Sequence, residues 1–277
     1  MVKGYTPLSL QEALEMLKGG FIQPYAGGTD INTQKSSGKD LLFINRLPEL
    51  RKIEKKDGYI SIGAAVTYSE AEENPLVPEI MKTAIKKVAG PAIRNLGTFG
   101  GNLANASGKA DSALVDLVCD AVLHIQSASA ERYLKVSDFY KGYRKTDLKP
   151  DELITEILIP DRNYFINFYY DKVSVRTAVA ISNLSIAAVW NISGNVLTDL
   201  AIGIGSATVY PIRYTEIENS LVGMSLEYIA EHRREVLDSA ISKLQLPPDR
   251  TSVYYRKRVC YNLLEYLIYE EFTPLKL

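Results

Sequence analysis

Thr98-Phe99-Gly100-Gly101-Asn102 is the stretch on which the reading of this chain turns; it follows Ile93-Arg94-Asn95-Leu96-Gly97 and precedes Asn105-Ala106-Ser107. Two adjacent glycines between small polar residues let a backbone pass a bulky anionic ligand with no Cβ in the way, so that amide N–H groups can point at a phosphate. A second segment of the same kind lies well upstream, Ala26-Gly27-Gly28-Thr29-Asp30-Ile31-Asn32. Taken singly, each Gly-Gly pair reads first as a plain tight turn. The combination, with Thr and Asn at the edges, suggests one diphosphate held from two sides and hence a dinucleotide. Other fingerprints fail. Neither segment ends in the Gly-Lys-Ser/Thr of a Walker loop, and Gly203-Ile204-Gly205 matches only the first half of G-x-G-x-x-G and reads as a strand-end turn.

Composition narrows the class. At 277 residues and 46% hydrophobic, the chain can bury a large core, and more than one domain is expected. A net charge of −1 leaves no basic footprint for nucleic acid. No apolar run approaches the roughly 18–20 residues that cross a bilayer, and Met1-Val2-Lys3-Gly4-Tyr5 carries no signal-peptide pattern, so a cytoplasmic location is expected, with no membrane partner. The two cysteines, Cys119 and Cys260, and the two histidines, His124 and His232, are far apart in sequence. That inventory assembles neither a zinc site nor an iron–sulfur cluster. His124 alternates with Leu123 and Ile125 along a strand and reads as structural. Cys119 reads as a small buried hydrophobe.

Helix and strand signals are mixed, which indicates an α+β chain. Ser9 and Glu12 form a capping-box pattern; Leu10, Ala13, Leu14 and Leu17 make an apolar face, and Gly19-Gly20 supply the stop. Strands are expected over 21–25, 41–45, 60–63, 121–127 and 153–159, the last closed by Pro160. Helices are expected from Glu79 to Val88, ended by Gly90-Pro91, and around 114–118. Phe139, Tyr140, Tyr143 and Arg144 fall in a loop. The aromatic run 163–170 reads as a link into another domain, and Ser193-Gly194-Asn195 separates two β-rich runs as a hairpin turn. Two helices, marked by Leu237, Ala240, Ile241 and Leu244 and then by Val259, Cys260, Leu263, Leu264 and Leu267, finish the chain.

Both glycine segments, together with Ile62-Gly63-Ala64-Ala65-Val66-Thr67, Ala110-Asp111-Ser112, the run 152–160, Pro211-Ile212-Arg213 and Tyr255-Arg256, resemble the FAD-binding medium subunit of the xanthine dehydrogenase family of molybdenum hydroxylases. The resemblance covers nearly the whole chain. It implies a two-subdomain FAD-binding fold of the PCMH/vanillyl-alcohol-oxidase type over 1–165, with subdomains of about 1–55 and 56–165, followed by an α+β C-terminal domain over 166–277. It places the FAD diphosphate against Ala26, Gly27, Gly28, Thr29, Asp30, Ile31 and Asn32, with Thr98, Gly100, Gly101, Asn102 and Asn105 on the other side of the cofactor. Asp111 is implied to contact the sugar-alcohol chain, the alternative being an N-cap for the helix that starts near Ser112. Ile154 is implied as an apolar contact. Lys172 is implied near the flavin ring, the alternative being a solvated strand lysine. The chain departs from the family pattern at Gly108-Lys109, where relatives often carry Pro-Ala; Lys109 reads either as an added phosphate contact or as a solvent-facing loop lysine.

By the same resemblance, the expected work is electron relay, with no catalytic acid, base or nucleophile required on this chain. FAD takes electrons from [2Fe–2S] clusters on a small partner subunit and passes them to NAD+ or another acceptor, while the organic substrate is hydroxylated at a molybdopterin on a large partner. A heterotrimer or dimer of heterotrimers is implied. Arg94-Asn95-Leu96-Gly97-Thr98-Phe99-Gly100-Gly101-Asn102 looks closest to purine-oxidising members, with aldehyde and carbon monoxide oxidation as alternatives. A stand-alone FAD reductase and a non-catalytic assembly subunit are the readings from other classes. Phe168-Tyr169-Tyr170 and Tyr254-Tyr255 are candidates for a partner surface, with core packing as the alternative.

Overall fold

The structure is a computed structural model that describes residues 2–34, 37–162, 167–174, 176, 181–244, 246 and 252–272. The expected domain boundary at 165/166 lies outside the described residues.

The first layer is a parallel three-stranded sheet in the order β1-β3-β2, built from β1 (Gly4–Tyr5), β2 (Ile22–Tyr25) and β3 (Asp40–Phe43). Helix α1 (Leu10–Leu17) crosses from β1 to β2 and buries Ala13, Leu14 and Leu17 against Leu42, Ile44, Leu47 and Leu50. Its start follows the expected chemistry with one change. Ser9 Oγ accepts the Glu12 N–H at 3.2 Å, but the Glu12 carboxylate accepts from Leu8 N at 2.7 Å, one residue before the cap.

The second layer is an antiparallel sheet of five strands in the order β4-β5-β10-β6-β7. This part of the chain runs in sequence as β4 (Ile53–Lys56), β5 (Tyr59–Gly63), α2 (Tyr68–Glu73), α3 (Glu79–Lys86), α4 (Pro91–Arg94), α5 (Phe99–Asn105), α6 (Asp111–Val118), β6 (Val122–Gln126), β7 (Glu131–Lys135), α7 (Val136–Phe139), β8 (Tyr140–Gly142), β9 (Lys145–Thr146) and β10 (Leu153–Pro160), with β8 and β9 paired in a separate two-stranded hairpin. Ile157 pairs with Ile62 and Leu123, and these three share the face covered by the helices. The opposite face carries Ser61, Glu156 and His124, as alternation requires. There the His124 ring stacks on Tyr133, centroids 4.6 Å apart, and its two nitrogens lie 2.9 Å from Glu156 and 2.9 Å from Glu131. Pro91 opens α4 at a position where its missing N–H costs nothing, so Gly90-Pro91 starts a helical turn as well as following the end of α3.

Strand β10 carries a bulge between Ile154 and Glu156. Strict alternation would put Ile154 on the polar face with Glu156. The extra residue moves it to the side of Ile157 and into the same core.

The third layer is an antiparallel sheet of four strands, β11-β12-β13-β14. It comprises β11 (Phe168–Val173), β12 (Leu184–Ser193), β13 (Val196–Gly205) and β14 (Ile212–Arg213), followed by α8 (Thr215–Leu221), α9 (Leu226–Glu231), α10 (Arg233–Ser242), α11 (Val253–Tyr266) and a π-helical turn at Leu267–Phe272. Ile186, Ala188 and Trp190 face these C-terminal helices, whereas Ala187, Val189 and Ala201 join the core around α6. Gly203-Ile204-Gly205 is part of β13, not a strand-end turn. A Cβ on Gly203 would stand 2.7 Å from Leu114 Cδ1 and 3.0 Å from Val118 Cγ1, so glycine lets α6 lie directly on the sheet. Two short helices, α8 and α9, were not evident from periodicity because each spans too few turns to show it. Tyr170 is buried and Tyr169 stacks on Tyr266, so packing takes up this aromatic run, while Tyr254 remains 84% exposed.

Candidate functional site

The first glycine segment leaves the end of β2 and turns sharply. Gly28 has φ 69°, a region that favours glycine, and the Tyr25 hydroxyl occupies the space that a Cβ there would take. Tyr25 in turn accepts from Asn32 Nδ2 at 2.9 Å, and Asn32 N bonds Gly28 O at 3.0 Å, which closes the turn. Among the described residues no acceptor takes the N–H groups of residues 27 to 31. Consecutive unpaired amides of this kind form an anion-binding concavity.

The second segment is a helix start, not a loop. Thr98 is the N-cap of α5, and its Oγ1 accepts from Gly101 N at 3.1 Å. Phe99 N bonds Val66 O at 3.3 Å and Gly100 N bonds Ala64 O at 3.0 Å. The amides of residues 99 to 101 are therefore already satisfied inside the protein, so of the two segments only the first keeps N–H groups that no acceptor takes among the described residues. What the second glycines supply is proximity. A Cβ on Gly100 would meet Ala64 Cβ at 2.6 Å. The two segments also touch, because the Gly27 backbone packs against the carbonyl of Leu96 and the Gly97 amide.

Between them lies a cavity of about 360 Å³. Ala26, Gly27, Gly28, Thr29, Asp30, Ile31, Thr98, Gly100, Gly101, Asn102, Asn105 and Ile154 line it, so tertiary structure gathers most of the residues expected at the site. Gln34 Nε2 donates to Asn105 Oδ1 at 3.1 Å and ties the two walls together. Gln23, Pro24, Tyr68 and Arg144 also line the cavity, as do Ile44, Ala64, Leu148 and Leu153, which make part of it apolar. None of these was singled out as a site residue from sequence. The signal for Tyr68 was its place after 62–67; for Arg144 there was none beyond its charge.

Behind the wall runs a short polar relay. Tyr68 Oη lies 2.8 Å from Ser112 Oγ, and Ser112 Oγ donates to Asn102 Oδ1 at 3.0 Å. Burial pushes the Tyr68 phenol far above its ordinary range, so it remains a donor. With its oxygen facing Ser112, Asn102 keeps its amide NH2 for a partner in the cavity.

Asn32, Asp111 and Lys172 do not line the cavity. Asp111 is the first residue of α6, one position past the N-cap at Ala110, so it does not serve as the cap. Its carboxylate lies 2.7 Å from Lys172 Nζ and accepts from Tyr170 Oη at 3.0 Å; Lys172 Nζ also donates to Lys87 O at 2.9 Å. Both side chains are almost fully buried, which rules out the solvated reading of Lys172. Burial raises the Asp111 carboxyl in spite of the ammonium beside it. Lys109 is exposed and lies outside the cavity lining. Gly108 backs onto the next domain: a Cβ there would stand 2.6 Å from Val209 O, and its own carbonyl accepts from Ser206 N at 3.0 Å.

The cavity suits the diphosphate of FAD by the amides of residues 27 to 31, which no acceptor takes among the described residues. Comparison with known proteins identifies the family. Residues 1–162 match the family described as FAD binding domain in molybdopterin dehydrogenase, and residues 169–270 match the CO dehydrogenase flavoprotein C-terminal domain. The chain is 31% identical over 260 residues to the glyceraldehyde dehydrogenase medium chain of Sulfolobus acidocaldarius, covering 91% of each. It is 32% identical over 204 residues to a putative xanthine dehydrogenase FAD-binding subunit of Escherichia coli, covering 70% of each. Its fold matches that of a chain in reconstituted CO dehydrogenase from Oligotropha carboxidovorans with a TM-score of 0.89 at 22% identity, covering 99% of this chain and 98% of that one. With family models spanning both of its parts and relatives above 30% identity along most of its length, the chain belongs to the FAD-binding medium subunits of the molybdenum hydroxylase family.

Proposed function

We propose that this chain is the electron relay of a cytoplasmic molybdenum hydroxylase complex, holding FAD between the two glycine segments. The observation that carries the reading is the run of unpaired amides at residues 27 to 31, set beside an apolar wall. FAD, when bound, supplies a carrier able to take electrons singly and to release them singly or as a pair. The chain's own residues bind and orient it. The amides of 27 to 31 donate to the diphosphate, the Asn102 NH2 adds a donor fixed by Ser112 and Tyr68, and Ile44, Ala64, Leu148, Leu153 and Ile154 exclude water from one side. Asp111 and Lys172 satisfy one another one residue from Ser112, so their approach to the ribityl chain and the flavin ring requires that ion pair to open.

The chain carries only two cysteines, both buried in separate cores, so no iron–sulfur cluster is assembled on it, and the relay reading places the electron source, [2Fe–2S] clusters, on a small partner subunit. The organic substrate is oxidised at a molybdopterin on a large partner, and NAD+ or another acceptor drains the flavin. Xanthine-type chemistry is the substrate reading, supported by the Escherichia coli relative; glyceraldehyde and nicotinate dehydrogenase subunits match at 31% identity over more of the chain, which fits a chain that does not touch the substrate. Co-expression with the neighbouring subunits tests the assignment. The lone chain should bind FAD yet fail to oxidise any organic substrate, and the assembled complex should reduce its flavin on addition of xanthine. Substrate oxidation by the lone chain would refute the relay, and recovery of FMN alone would refute the dinucleotide site.

A further inference from the structure

Arg144 stands at the tip of the β8–β9 hairpin with φ 51°, a left-handed conformation that an arginine seldom adopts. A hairpin tip of this kind would normally be occupied by Gly, Asn or Asp. Among the described residues no carboxylate or carbonyl pairs with the guanidinium to offset this strain, and the side chain is exposed. Strained residues persist where the surrounding structure or a function requires them.

Arg144 also has a singular place at the cavity. Among the described residues that line it, Arg144 alone is positively charged, and Asp30 alone is negatively charged. A diphosphate brings two negative charges into a site whose backbone amides donate hydrogen bonds but carry no net charge. Asp30 adds like charge at the same wall. The other candidate cation, Lys109, does not reach the lining, and Lys172 is committed to Asp111. Arg144 comes from the β8–β9 hairpin, between β7 and β10 of the five-stranded sheet in sequence, whereas residues 27 to 31 follow β2 of the first sheet, so a ligand held by both bridges the two parts.

We propose that Arg144 is a diphosphate-binding residue, its guanidinium supplying the counter-charge to the phosphates seated on the amides of residues 27 to 31. The proposal rests on the FAD reading of the cavity. It also accounts for the backbone: the left-handed tip is retained with arginine because the charge is needed at that point. A guanidinium matches paired phosphate oxygens in a planar, bidentate fashion that lysine reproduces only as a point charge.

The test compares the full-length wild-type chain with Arg144→Gln, Arg144→Lys and Arg144→Gly, by titration with FAD and by competition with ADP and with adenosine. Arg144→Gln should weaken FAD and ADP by about tenfold at low salt, the scale of one charge-assisted pair, and leave adenosine unchanged. Arg144→Lys should fall between. Arg144→Gly should weaken FAD as much as Arg144→Gln while leaving the melting temperature of the cofactor-free chain at or above that of the wild type, since glycine accepts the left-handed backbone. A purely structural arginine would lower both together. Unchanged FAD affinity in Arg144→Gln, equal loss for adenosine, or a lower melting temperature in Arg144→Gly would overturn the proposal while wild-type FAD binding stands. A wild-type chain that binds no FAD would overturn both this inference and the reading beneath it.

Discussion

Gly27 packs so closely on Leu96 that a Cβ on the glycine would overlap the leucine carbonyl oxygen. This contact joins the two glycine segments and sets the width of the cavity between them. Gly27→Ala should therefore force the segments apart and lower FAD affinity by more than about tenfold, an overpacking cost of roughly 1–3 kcal/mol falling on the site itself. Gly58→Ala is the control: its φ is 80° but open space surrounds it, so the change should cost about 1 kcal/mol of stability and leave FAD binding intact. Fluorescence titration of both variants decides the matter, and equal FAD binding by Gly27→Ala and wild type would show that the contact does not shape the site.

The buried Asp111–Lys172 pair should behave as a unit. Asp111→Ala leaves an ammonium buried without its partner and should cost about 3–5 kcal/mol in urea unfolding, as should Lys172→Met. The double variant should recover a large part of that loss. If the single changes instead left stability alone and reduced only FAD affinity, the pair would have to be open in the working protein.

Stability should fall at alkaline pH through His124. Hydrogen bonds that His124 donates to Glu156 and then Glu131 raise its pKa, and the same contact with His124 pulls Glu156 down to about 2. A histidine raised in the folded state contributes stability that is complete below its ordinary value of about 6.5 and is lost as pH rises through the folded value. Glu156 works at the other limit, with stability present above its ordinary carboxylate range and lost as pH falls toward about 2. Urea midpoints at pH 6 and pH 9 should differ for the wild type, and His124→Gln should shrink that difference.

Asp116 should be a liability. It is fully buried on α6, among the described residues no donor reaches either carboxylate oxygen, and burial pushes its pKa up to about 8. A carboxyl raised in the folded state loses stability as pH climbs from its unfolded value through about 8. Asp116→Leu should add about 1–3 kcal/mol at neutral pH and remove that slope, provided the core admits the branched chain. Chemical denaturation from pH 5 to 8.5 would read both effects, and a destabilised Asp116→Leu with the slope intact would contradict the account.

Local chemistry was legible without coordinates. Ser9 caps α1, Gly194 turns the β12–β13 hairpin, His124 faces away from Leu123 and Ile125, and the order of the glycine segments points to an FAD-binding flavoprotein subunit. Each of these depends on residues close in the chain, or on a motif whose order survives without coordinates. Other features depend on partners distant in sequence. The amides of residues 99 to 101 are consumed by Val66, Ala64 and Thr98, whereas no acceptor among the described residues takes those of residues 27 to 31, although the two segments read alike. A bulge decides that Ile154 faces the cavity side, because one added residue reverses a strand's alternation. Asp111 and Lys172, expected on the cofactor, meet each other, and Arg144, with no motif around it, meets the cavity. The sequence by itself thus determined which chemistry the chain can hold. Only the tertiary structure decided which groups remain free to hold it, since a hydrogen-bond donor or a charge is available to a ligand only when no other part of the folded chain has already taken it.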